Sequence, residues 1–198
     1  MWAIVTDNTI TKLLNNPKRL IIDDIQYSRK IFSLWSVSEK EAKGIYEVVF
    51  NNTNKKDEEW YINTNQSFAF ADGVVTASFG SATAKAHADT LFTAQDEIDG
   101  KGTEGEVAVR GLKYNLIKTV KAQAASELTR TDWYITRKAD AGTAVPSAIT
   151  THRAAVRTKC AEMETAITNA ADTPALAALY VYNADNPPTR PLGELPVL

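Results

Sequence analysis

The 198-residue chain has little cysteine, little histidine and almost no net charge. Its one cysteine, Cys160, excludes an internal disulfide and a zinc site built from several thiolates. The two histidines, His87 and His152, lie in different segments without a second histidine at metal-ligand spacing, so we expect no metal site. The 22 basic and 24 acidic residues leave a formal charge of -2, which offers no field that would attract nucleic acid or an anionic membrane.

Long apolar runs are also missing from the chain. No stretch approaches the ~18 consecutive apolar residues of a membrane-spanning helix. The first seven residues are too short and too soon acidic for a signal peptide, so we expect a protein made in the cytoplasm. The composition is otherwise that of a globular protein, with 44% hydrophobic and 23% charged residues. The length permits one domain or two small ones.

Catalytic motifs are scarce as well. His152 precedes Cys160 by eight residues on one predicted helix, about 12 Å along its axis, which is beyond hydrogen-bond reach. The adjacent acids at 23–24 and 58–59 point to opposite faces of a strand, or lie in solvated loops, and do not form an acid-base couple. The glycines around Lys101 lack phosphate-loop spacing. We therefore expect no enzyme and no catalytic, cofactor-binding or metal residues.

Residues 1–80 predict a small antiparallel β-rich domain, because short apolar runs alternate with Asn, Asp and Gly. The predicted strands are 2–5, 10–14, 20–22, 31–35, 45–50, 60–62, 68–70 and 74–79. Tight turns are expected at 6–9 and at 71–74, where an Asp-Gly pair suits positive backbone angles. One short helix is expected at 38–44, between a serine cap and a closing glycine. The polar segment 51–59 predicts an exposed loop.

Aromatic side chains crowd this β-rich half and have two interpretations. They are Trp2, Trp35, Trp60, Tyr61, Phe68, Phe70 and Phe79. Exposed rings could stack on sugars or contact a partner protein. Core packing is favoured, because a sheet of fewer than about a hundred residues needs large side chains to form a core.

Residues 81–105 predict a linker. The segment 82–94 contains many helix-forming residues but no apolar stripe, which indicates a weak helix. The glycines within 99–105 indicate a flexible hinge.

Residues 106–182 predict an antiparallel helical hairpin. Apolar residues recur at three- or four-residue steps in two segments, and two such stripes must pair with each other. The first arm, about 33 residues, would span roughly 50 Å. Gly142 and Pro146 end the first arm and begin the second. The expected seam contains Leu112, Leu116, Val120, Val156, Cys160, Met163 and Ile167.

Residues 183–198 contain four prolines, which remove amide donors and fix backbone angles. We expect an extended tail that becomes ordered only when something receives it.

Three segments of the hairpin resemble a module found near the C-terminus of tailed-bacteriophage tail proteins, often labelled tail assembly chaperones or tail-fibre-associated proteins. The segments are LTRTDWYITR at 128–137, GTAVP at 142–146 and HRAAVR at 152–157. His152 stands where the family has tyrosine, and Val156 where it has leucine. The sequence LWSVSEKEAKGIYEV at 34–48 is similar to an N-terminal pattern of the same class.

The resemblance implies a structural component of a phage tail: a fibre, adaptor or baseplate-associated protein that acts through protein-protein assembly. It implies other tail proteins as partners and a place in the virion, after synthesis in the host bacterial cytoplasm. Trp133 would anchor the crossing of the hairpin. Two alternatives are an assembly chaperone absent from the mature particle and a host-surface binding module.

A long two-helix hairpin also leaves much helix surface uncovered, so we expect a homo-oligomer or a complex with a partner. Small residues on these surfaces would permit close helix approach. They include Ala122, Ala125, Ala154, Ala155 and Ala161.

Overall fold

The computed structural model describes residues 1–198 and divides into two compact units, residues 1–83 and 84–198. With 36% of the residues in helices and 22% in strands, the chain has the predicted α+β fold, with the β-rich region first and the long helices after it. None of its helices combines the length and the apolar character that a membrane span requires.

The first unit is built on a five-stranded sheet in the order β2-β1-β5-β8-β7, and two further pairs, β3 with β4 and β6 with β9, lie outside it. The strands are β1 (Trp2–Thr6), β2 (Thr9–Leu14), β3 (Leu20–Ile22), β4 (Ile25–Tyr27), β5 (Ile45–Asn51), β6 (Tyr61–Ile62), β7 (Ser67–Ala71), β8 (Val74–Ser78) and β9 (Thr83–Ala84). The helices are α1 (Ile31–Leu34) and α2 (Val37–Glu41). Both expected hairpin turns are confirmed, because Asp7, Asn8, Asp72 and Gly73 have positive φ angles.

The sequence predicted an antiparallel sheet, but one pair of strands differs. β5 and β8 run parallel, from Val48 opposite Val75 to Asn51 opposite Ser78. The β7–β8 hairpin returns to the sheet with β8 innermost. Val75 and Ala77 of β8 are fully buried, whereas β7 has only half-buried and exposed residues. β8 is therefore an interior strand of the sheet, beside β5, and β7 is the edge strand.

The two faces of this sheet carry separate core clusters. Ala3, Val5, Val48, Val75 and Ala77 are buried on one face, and the edge strands β2 and β7 approach each other around them. The other face buries a second cluster beneath β3 and α1. Its buried members are Leu14, Leu20, Ile31, Phe32 and Ile45.

The strand predicted at 31–35 is wrong, because this segment forms α1. Ile31 and Phe32 are adjacent and both buried, which a strand that alternates between faces would not allow. The next helix, α2, begins after Ser36 rather than Ser38, with a reciprocal capping box between Ser36 and Glu39. Gly44 closes it as expected, with φ +69°, and a Cβ there would lie 2.3 Å from the Val5 carbonyl oxygen.

The second unit contains five helices and one two-stranded ribbon. They are β10 (Thr90–Leu91), α3 (Ala94–Ile98), β11 (Val107–Val109), α4 (Leu112–Thr129), α5 (Asp132–Ala141), α6 (Ser147–Asn169) and α7 (Thr173–Ala178). The ribbon pairs β10 with β11 in antiparallel fashion.

The predicted linker is folded, and its helix lies later than expected, in α3. Residues 84–105 belong to the second unit. The backbone amide and hydroxyl of Thr93 and the ammonium of Lys101 bind Asp96, and they lower the pKa of its carboxyl to about 2. The segment read as a hinge is a closed turn, in which a Cβ on Gly102 would lie 2.3 Å from the Phe92 ring.

The proline-rich tail packs against other residues of the second unit. Leu192 is only 2% exposed, and its amide donates to the carbonyl of Leu179 at 3.0 Å. Arg190 forms an ion pair with Glu194 at 2.8 Å within the same segment. One buried leucine therefore orders a tail whose prolines prevent regular structure.

Candidate protein-interaction site

The paired part of the hairpin is formed by α4 and α6, as the sequence predicted. Lys113 donates to the carbonyl of Thr168 at 2.8 Å, and Lys121 forms an ion pair with Glu164 at 3.0 Å. Later residues of α4 therefore meet earlier residues of α6, which establishes the antiparallel arrangement. Of the predicted seam residues, Leu112 and Leu116 are half-buried. The other five seam residues of the two helices, Val120, Val156, Cys160, Met163 and Ile167, are buried.

The first arm is not one helix, because the chain bends at Thr131 between α4 and α5. Thr131 has φ -117° and ψ 3°, outside the helical range. Its amide and its hydroxyl both donate to the carbonyl of Leu128, each at 3.0 Å. A side chain that bonds the backbone three residues back competes with helix continuation, which explains the break at this threonine.

Arg153 holds this bend from the opposite helix. Its Nη1 donates to the Leu128 carbonyl and to the Thr131 hydroxyl, both at 2.7 Å. The same nitrogen lies 2.8 Å from Asp132 Oδ1. Arg153 and Thr131 are 8% and 1% exposed, so these bonds form away from water, where an unpaired polar group would be costly.

Trp133 does not anchor the crossing, contrary to the sequence-based expectation. Its side chain is 52% exposed, and none of the ten residues of α5 is buried. The anchor is the Arg153–Thr131 pair, whereas Trp133 lies two residues further along the chain, with its side chain exposed. α5 ends as predicted at Gly142, which has φ +69°.

Trp133, Tyr134 and Arg137 form a group that we call the α5 cluster. The Trp133 and Tyr134 ring centroids lie 3.7 Å apart, and the Arg137 guanidinium lies 4.8 Å from the first and 5.5 Å from the second. The i, i+4 and i, i+3 spacings bring Arg137 over both rings. Tryptophan, tyrosine and arginine are the residues most often found at energetic centres of protein interfaces.

A sequence signal for this exposure existed. The apolar stripe of α4 passes through Leu116, Val120, Ala124 and Leu128 at four-residue steps, and Trp133 falls five residues after the last of these. A continued stripe would therefore place Trp133 off the seam. The bend at Thr131 and the role of Arg153 had no such signal.

The residues considered for catalysis do not come together as a site. Cys160 is buried, and its Sγ lies 3.5 Å from Glu164 Oε1. Burial, and then the hydrogen bond to Glu164, raise the pKa of the Cys160 thiol, which disfavours the reactive thiolate. His152 is buried on the same helix, and its Nε2 has no hydrogen-bond partner. The structure contains no group of three or more His, Cys, Asp or Glu residues that could hold a metal ion.

The aromatic residues of the β-rich half are placed as core packing predicts. Trp60 is buried, and the other six named in the sequence are half-buried. Trp2 packs on Phe32 and Tyr27 on Trp35, each with centroids 5.2 Å apart.

Comparisons with protein-family models, with curated proteins and with solved structures find no match to this chain.

Proposed function

We propose that the chain is a structural component of a bacteriophage tail and that it acts through protein-protein assembly. The partners are other tail proteins, with further copies of this chain as a second contact. The proposal rests on the resemblance of the segments at 128–137, 142–146 and 152–157, together with the way the structure uses them.

The observation that carries the proposal is that some residues of the resembling segments hold the bend, whereas others stay exposed. Arg153 bonds both Thr131 and Asp132 at the bend. Trp133 and Arg137, a few residues away, contact each other but have no covering partner helix. A motif whose polar residues hold a helix in place while its tryptophan stays exposed is suited to docking.

Mass spectrometry of purified particles, with copy-number determination, tests this proposal. We expect the wild-type chain in the virion at a fixed copy number, and a large loss of incorporation for Trp133→Ala and for Arg137→Ala. Tyr114→Ala is the matched control, because Tyr114 is 43% exposed and has its own arginine, Arg110, 4.2 Å from the ring centroid. Equal incorporation of the Trp133 variant and the wild type would contradict docking through the α5 cluster.

The same experiment separates the assembly chaperone from the virion component. A chaperone would be needed for infectious particles yet be absent from them. Its docking surface could be the same α5 cluster, so incorporation rather than binding is the decisive measurement.

Self-association is a further part of the proposal. Ala122, Ala125, Ala154, Ala155 and Ala161 are all exposed on α4 and α6, where small side chains permit close helix approach. Analytical ultracentrifugation at micromolar concentration should show an oligomer. A stable, purely monomeric species would argue against a homo-oligomer.

A further inference from the structure

A groove of about 180 Å³ opens on the first unit, beside α2 and the strands β5 and β8. A cavity of about 150 Å³ can hold a benzene-sized group, so this groove has room for one amino-acid side chain. Trp2 forms part of its wall, together with the side chains of Val37, Lys40, Val49 and Val74.

The apolar part of the groove is open to solvent. Val37, Val49 and Val74 are 64%, 54% and 44% exposed. Val49 and Val74 lie on the same face of the sheet, because their neighbours Val48 and Val75 are opposite each other in the register and point to the other face. These three aliphatic side chains line one groove and are not covered.

The polar part of the groove includes a buried cation that pairs with no carboxylate of the chain. Lys40 is only 8% exposed. Its Nζ lies 4.7 Å from the Trp2 ring centroid and 3.5 Å from the Phe32 carbonyl oxygen, and it forms no ion pair with any carboxylate. A buried charge that is only partly compensated favours a ligand that neutralises it.

Two carboxylates line the same groove, and they limit what can bind. Glu41 and Glu47 are exposed and solvated, and neither pairs with Lys40. Their repulsion of an anion is weakened by water and salt, whereas the attraction from the buried Lys40 is screened much less. An incoming carboxylate is therefore favoured beside Lys40 and Trp2, with the aliphatic group on the valines.

We propose that this groove binds a segment of a partner protein in which an aliphatic side chain stands next to an acidic one. The aliphatic side chain packs on Val37, Val49 and Val74, and the carboxylate pairs with the Lys40 ammonium. The site lies in the first unit, so it does not depend on docking through the α5 cluster.

Titration of the ¹⁵N-labelled full chain with acetyl-Leu-Asp-amide, followed by NMR, tests the proposal. We expect shifts at the Lys40, Val49 and Val74 amides and at the Trp2 indole. Acetyl-Leu-Asn-amide should bind about tenfold more weakly, because a neutral amide cannot form the charge-assisted bond to Lys40, and acetyl-Ser-Asp-amide should also lose affinity.

Two variants test whether Lys40 and Glu47 cause the preference for the Asp peptide over the Asn peptide. Lys40→Met retains an unbranched apolar side chain against Trp2 and should bind the Asp and Asn peptides equally. Glu47→Gln removes a negative charge that repels the peptide carboxylate, so it should tighten binding of the Asp peptide by a few-fold. Glu47 is exposed, so the substitution leaves the core unchanged. Equal affinity of the wild type for the Asp and Asn peptides, no shifts in the groove, or a preference for the Asp peptide that persists in Lys40→Met would overturn the proposal.

Discussion

α4 and α5 arise from one uninterrupted helical pattern in the sequence, yet they differ in what their side chains contact. α4 buries Val120 and Ala124 against α6, whereas α5 buries nothing. Helix propensity is sufficient for both segments, but only α4 runs beside a second helix. The difference shows that the seam ends at Thr131 and that no residue of α5 is buried.

The boundary between the two helices is polar rather than apolar. Arg153 reaches across from α6 to the Leu128 carbonyl, near the end of α4, and to the first residue of α5, Asp132. A guanidinium can serve several acceptors at once, so one side chain both closes α4 and orients α5.

The largest expected loss of stability is in the seam between α4 and α6. Ile167→Asp places an unpaired charge at a position that is fully buried, and we expect a loss of about 4 kcal/mol or more in the free energy of unfolding. Denaturant titration followed by far-ultraviolet circular dichroism measures it.

Thr158→Asp is the control for that variant, because Thr158 is exposed on the same helix and should tolerate the charge. Leu116→Asp should lie between the two, since Leu116 is half-buried. Wild-type stability in Ile167→Asp would mean that the seam is assigned wrongly.

A smaller effect is expected at the boundary. Arg153→Leu leaves the Leu128 carbonyl without its guanidinium donor, and the Thr131 hydroxyl without a donor to it, so we expect a loss of about 1–3 kcal/mol. Asp132→Asn should cost less than about 1 kcal/mol, because Asp132 is 53% exposed and its ion pair is open to solvent. Thermal melts of both variants check this order, and a larger loss for Asp132→Asn would refute it.

At Cys160 the expected change in stability is about 1 kcal/mol for Cys160→Ala or Cys160→Val, with function retained. The thiol packs in the seam, and its raised pKa leaves little thiolate at neutral pH. Alkylation should therefore be slow in the native protein and fast after denaturation. Rapid native alkylation with loss of particle assembly would instead indicate a reactive site and would reopen the case for an enzyme.

The smallest expected effect on stability lies on the α5 side. Trp133→Ala removes a half-exposed ring from a helix without buried residues, and the free energy of unfolding should change by no more than about 0.5 kcal/mol. Its effect on partner docking should be large. A marked loss of stability would show that Trp133 supports the hairpin after all.

Much of the fold follows from local patterns. Short apolar runs separated by Asn, Asp and Gly predicted most strands, and Asp-Asn and Asp-Gly pairs predicted two hairpin turns that the structure confirms. Four-residue apolar steps predicted both helices of the seam, and Gly142 predicted the end of α5. Short apolar segments such as 31–35 were ambiguous, because a brief run fits a strand and a helix equally well.

By itself, then, the sequence determined most of the strands, the two helices of the seam and the side chains that form the seam, because these depend on spacing along the chain. Tertiary structure decided the parallel pairing of β5 with β8, the bend at Thr131 and the burial of Lys40 beside Trp2. Each of these joins residues that are distant in sequence. Their contacts arise only when competing surfaces are buried together, so local spacing does not specify them.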